Sequence, residues 1–123
     1  MMMSRLERGD LYWGDLDPGK GSEQAGRRPV IILQDTHLIP SVRTVVVIPV
    51  TSRLHLVRLP TVVAIGRAGG CLAVESAALC HHIRALAIEG IGSRIGSLPV
   101  ETLATIEEVV LVTLGLTTIS RGA

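Results

Sequence analysis

"LPVETLATIEEVVLVTLGL", residues 98–116, is the stretch on which the fold turns. Val100, Leu103, Ile106 (or Glu107), Val110 and Leu114 recur at helical spacing and define one apolar stripe. Pro99 fits the first turn, and Glu101 complements the positive end of the helix dipole. Val109, Leu111, Val112 and Leu116 widen the stripe beyond what one packed face needs. Gly115 marks a stop or a close-packing point. This is the clearest helix in the chain, and it lies at one end.

Upstream the sequence changes period. "DLYWGDLDPG" opens with a short alternating strand through Leu11 and Trp13 and turns at Asp17-Pro18-Gly19. "RPVIILQ" is a fully apolar strand with Pro29 at its start, where a missing N–H is tolerated. "RTVVVIPVTS" is β-branched and continuous, ending at Thr51-Ser52. "LPTVVAI" and the segment around Cys71–Val74 read as shorter strands. "ALCHHIRALA" alternates weakly and is assigned to a strand, hemmed in by strands and by Gly90-Ile91-Gly92. Five or more short strands followed by one helix predict an α+β domain with a small, strongly curved sheet.

The 123 residues suit a single domain over 1–123, with no repeat or linker. Hydrophobic residues make up 47% but aromatics only 2%, with no Phe, so the core must be built from Val, Ile, Leu and Ala. A mean hydropathy of +0.46 is high for a monomer of this size and predicts that apolar surface is hidden in an oligomer. No run reaches the roughly 18 apolar residues of a membrane span, and residues 1–8 lack the apolar run of a signal peptide. A cytoplasmic protein is expected. Net charge is +1, so overall basicity announces no nucleic-acid partner. Eleven of the twelve basic residues are Arg, which suits phosphate but also follows from genomic composition. Cys71 and Cys80 are expected as free thiols.

The candidate chemistry gathers in "GSEQAGRRPV", residues 21–30. A loop with Gly19, Gly21 and Gly26 lets backbone N–H groups approach an anion. Ser22, Glu23 and Gln24 add polar side chains, and Arg27 and Arg28 stand at its mouth. There a guanidinium either solvates the strand entrance or clamps a phosphate bidentately. The spacing does not match a Walker loop. Thr51 and Ser52 end a buried strand, as capping hydroxyls or as polar site residues beside a loop. Arg84 suits an ion pair or a second phosphate contact. A metal is not expected. Adjacent His81 and His82 on a strand would point to opposite faces, no CxxC or HxxxH spacing is present, and Asp15, Asp17 and Glu23 are too few for a magnesium cage.

Together these segments carry a resemblance. "RGDLYWGDLDPGKGSEQAGRRPVIILQ", "VVVIPVTS", "LP", "ESAAL", "HIRAL", "IGSLP" and a terminal "LGL" are similar to the MazF/PemK family of toxin endoribonucleases, from Arg8 to Leu116. The resemblance implies a small SH3-like, strongly curved antiparallel β-barrel or sheet with a C-terminal helix. It implies metal-independent, sequence-selective cleavage of single-stranded RNA without a cofactor, leaving 2′,3′-cyclic phosphate and 5′-OH ends. Arg28 would be catalytic, with Thr51 beside it, and Ser22, Glu23, Gln24, Arg27, Ser52 and Arg84 would bind substrate. A homodimer is implied, held inactive by an antitoxin with an acidic, disordered tail. One departure stands out. Where the family commonly reads "QIRTIDKSRL", this chain has "HIRALAIEGI", keeping Arg84 but offering RNA less positive charge after it. Two rival readings use the same fold: a non-catalytic toxin resembling the gyrase poison CcdB, and a degenerate toxin that serves only as an antitoxin sink.

Overall fold

The structure is a computed structural model that describes residues 6–16 and 26–117. Seven strands precede one helix: β1 (Asp10–Asp15), β2 (Arg27–Ile32), β3 (Thr44–Thr51), β4 (Val62–Gly66), β5 (Ser76–Leu79), β6 (Arg84–Ala87), β7 (Ile91–Ser97) and α1 (Val100–Thr113). Every pairing is antiparallel. The order runs β4-β5-β3-β2-β1-β7, with β6 also paired to β3, and the sheet is not closed into a barrel.

β3 organises the domain because it serves three neighbours. It pairs with β2 on one side; on the other, Thr44–Val47 meet β6 while Val50 and Thr51 meet β5. Its β-branched run suits a strand buried on both faces. Val45 and Val47 enter one apolar cluster with Tyr12, Val30, Ile32 and Leu86. Ile48 and Val50 point the other way, into a cluster with Leu11, Ile31, Leu98 and Ile106. Strand periodicity thus splits a Phe-free core into two layers, almost wholly aliphatic, as the composition requires.

The helix closes the second layer. Ile106 and Val110 are buried, with Leu103 and Val109 packed beside them. Val100 and Leu114, both placed on the predicted stripe, are instead 81% and 50% exposed, so the packed face is narrower than the spacing implied. Gly115 is the stop. At φ +73 it donates to Val112 O while Leu116 N donates to Leu111 O, the paired bonds of a Schellman cap. The Arg8-Gly9-Asp10 start ties the layers together. Arg8 donates to Leu33 O and forms an ion pair with Glu107 of α1, and Gly9 takes φ +92 where a side chain would press on Leu103.

Three strand expectations change. The Cys71–Val74 segment is turn and bend; the strand begins later, at Ser76, once the chain has come alongside β3. "ALCHHIRALA" is not one strand, because a 3-10 turn at Cys80–His82 breaks it between β5 and β6. That turn moves the chain from one end of β3 to the other, and Thr61 Oγ1 lies 2.7 Å from His81 Nδ1 within it. β7 was not foreseen, since Gly92 and Gly96 interrupt its apolar alternation. Gly96 is required there by packing: a Cβ would lie 2.7 Å from the Cβ of Cys71.

Candidate active site

Arg27 and Arg28 belong to β2 itself and not to the loop before it. Arg27 pairs with Asp15 and Arg28 with Gly14. The β2–β3 ladder runs Ile32 to Val47, Ile31 to Ile48 and Val30 to Pro49. Carried two residues further, this register sets Arg28 opposite Thr51, and residues facing each other across a ladder share one face. Two positions 23 apart in sequence line one cleft because both strands run to the same end of the sheet.

That end holds a cleft of about 410 Å³. Arg27, Arg28 and Arg94 line it, as do the hydroxyl residues Thr51, Ser52 and Ser76, over an apolar floor that includes Val50 and Leu72. No Asp or Glu stands among its described lining residues. Three guanidiniums with no acid among the described lining residues favour an anion here, although Arg94 is paired with Asp10 behind it, and the fork geometry of Arg suits phosphate or carboxylate. Thr51 is buried, and its Oγ1 accepts from Arg53 N at 3.1 Å, which holds the hydroxyl in place.

Each arginine is supported differently. The Arg27 guanidinium carbon lies 5.1 Å from the Trp13 ring centroid, a cation–π contact. Arg28 is half-buried. Arg94 Nε donates to Asp10 Oδ2 at 3.2 Å and its Nη2 donates to Ser97 Oγ at 2.7 Å. Ser97 Oγ in turn donates to the other Asp10 oxygen at 2.8 Å. Hydrogen bonding to Asp10, and then its charge, push the Arg94 pKa up, so this group stays cationic.

Sequence reasoning missed Arg94, which belongs to the unforeseen β7. A usable signal was present: Asp10, a carboxylate on an apolar strand, needed a charged partner. Arg84, expected as a substrate contact, is not among the residues lining the cleft; its Nη1 donates to Leu16 O at 3.3 Å. Ser22, Glu23 and Gln24 lie outside the described residues. Thr51, Ser52, Arg27 and Arg28 all line the one cleft.

Fold and cleft define a small antiparallel domain with an anion site between strand ends. Comparison with known proteins names the class. Residues 7–114 match the PemK-like, MazF-like toxins of type II toxin–antitoxin systems. The chain is 33% identical over 114 residues to Endoribonuclease MazF of Staphylococcus saprophyticus, covering 93% of this chain and 95% of the relative. It superposes on crystalline MazF from Deinococcus radiodurans with a TM-score of 0.77 and 27% identity, over 89% of this chain and 96% of the other. A MazE–MazF complex from the same organism aligns with a TM-score of 0.72 and 26% identity, over 91% and 97%. The chain belongs to the PemK/MazF family of toxins. No described helix is long and apolar enough to cross a membrane.

Proposed function

We propose that this toxin is a sequence-selective endoribonuclease that cuts single-stranded RNA without a metal. The observation that carries the reading is the cleft in which three arginines and Thr51 converge with no acid among the described lining residues. A divalent cation needs oxygen ligands, above all carboxylates; this lining supplies guanidiniums instead. Positive charge for the phosphate is therefore built into the protein.

The ribose 2′-OH attacks the adjacent phosphorus, forming the O2′–P bond as the P–O5′ bond breaks. One proton leaves O2′ and one arrives at O5′, giving a 2′,3′-cyclic phosphate and a 5′-OH. Arg28 faces the charge that builds on the phosphoryl oxygens, where a preorganised donor is most effective. Its guanidinium, which carries five N–H donors and no acceptor, is a better clamp than a base. Thr51, oriented by Arg53 N–H, donates to the same phosphoryl group. Arg27, Ser52 and Arg94 hold flanking phosphates, while Ser22, Glu23 and Gln24 position the substrate from the loop.

The same cleft accounts for regulation. A site that attracts phosphate through arginine also attracts carboxylates, so an antitoxin with a disordered, Asp/Glu-rich tail competes with RNA. Exposed Val100, Leu111, Leu114 and Leu116 form the surplus that a homodimer covers. A protein acting in the cytoplasm fits the RNA target.

Incubating purified protein with mixed-sequence RNA in EDTA tests the reading. Cyclic-phosphate ends are expected. A protein that leaves RNA intact while poisoning gyrase, or does neither, overturns it in favour of a protein-seizing toxin or an inactive antitoxin sink.

A further inference from the structure

A second cavity, of about 310 Å³, adjoins the cleft, and the two share Trp13 and Arg27. Their linings are opposite in character. The cleft carries three arginines and no described acid, whereas the second cavity carries Asp15 and Glu89, both exposed. Its floor includes Gly90 and Gly92. A Cβ on Gly92 would stand 3.4 Å from Trp13 O and 3.6 Å from Arg27 Nη2, so a larger side chain there would grow into this space.

We infer that this second cavity is a nucleobase subsite which reads a base bearing an exocyclic amine. The inference rests on the RNA reading of the cleft and adds the specificity that reading leaves open. Along a nucleic acid, phosphates and bases alternate. Here a phosphate-type site and a carboxylate-bearing site stand side by side, divided by an indole with a guanidinium over it. Aromatic faces and Arg planes are the usual platforms for unstacked RNA bases. As carboxylates, Asp15 and Glu89 accept hydrogen bonds and donate none. They receive the amino hydrogens of adenine, cytosine or guanine, and they repel the O2 and O4 acceptors of uracil. The glycines leave backbone where a flat base must approach closely.

The test uses full-length protein and two readouts. Trp13 is the single tryptophan of the chain, so its fluorescence reports on the shared wall directly. CMP and AMP should change that fluorescence at concentrations about tenfold below those needed with UMP, which carries the same phosphate. Cleavage of a randomised RNA pool, read by end sequencing, should show amine-bearing bases favoured about tenfold over uracil at one position beside the cut. Glu89→Gln, whose amide both donates and accepts, should admit uracil there, and Gly92→Leu should erase the preference. Cleavage with identical profiles in all three proteins overturns the subsite while leaving the nuclease intact. An equal fluorescence response to UMP, CMP and AMP also overturns it. A base-selective response from a protein that cuts no RNA supports the subsite and removes the nuclease.

Discussion

Arg94 of β7 and Asp10 of β1, 84 residues apart, are joined at 3.2 Å at the edge of the cleft. The carboxylate is buried and is also held by Ser97, so the guanidinium cannot swing away without stranding a charge. On the proposed RNA reading, Arg94 would be a fixed phosphate contact. Arg94→Ala should weaken RNA binding uniformly across sequences and reduce the slope of log affinity against log salt by about 1. A variant with the parental salt slope would remove Arg94 from the RNA path.

Arg28→Ala should lower the cleavage rate by roughly 100-fold or more while the thermal melt stays close to the parent's. Thr51→Ala should lose less rate, as a neutral donor contributes less than a charged one. Single-turnover cleavage with matched melting curves checks both. Parental rates from Arg28→Ala would move the chemistry elsewhere.

In light scattering at micromolar concentration, the protein should show about twice the 13.1 kDa of the chain. The exposed Leu111, Leu114 and Leu116 motivate this expectation, and a monomeric mass contradicts it.

A peptide rich in Asp, Glu and apolar residues, patterned on the antitoxin tail, should inhibit RNA cleavage competitively. The inhibition should fade as salt rises, because both ligands rely on charge. Tight peptide binding with undiminished cleavage would place the antitoxin on another surface.

Burial pushes the Cys80 thiol up to about 11 from an ordinary 9.0. The folded state thus favours the protonated form. Its stabilising contribution is complete below about pH 9 and is lost as pH rises toward 11. Urea midpoints measured from pH 8 to 11 should fall more steeply for the parent than for Cys80→Ala. Parallel curves would mean that other groups dominate the alkaline loss.

The parts of this fold that were legible in the sequence share a property: their signals are local. α1 announced itself through spacing, β3 through a β-branched run, and Arg28 and Thr51 through their positions at strand ends. What was hidden depended on distant partners. β7 reads poorly because Gly96 answers to Cys71, 25 positions away, and not to its own neighbours. Arg94 was invisible for the same reason, its role being set by Asp10. The break at Cys80–His82 escaped because weak alternation does not distinguish one strand from two that serve opposite ends of β3. The Arg27 and Arg28 pair looked like loop because polar residues precede it, whereas the ladder with β1 holds both.

The shared strand β3 has a consequence for how this toxin is made. Its cleft draws on β1, β2, β3 and β7, the last of which ends at Ser97. A chain emerging from the ribosome therefore has no assembled cleft until β7 has been made, since Arg94 and Ile95 are the last of the described lining residues to be added.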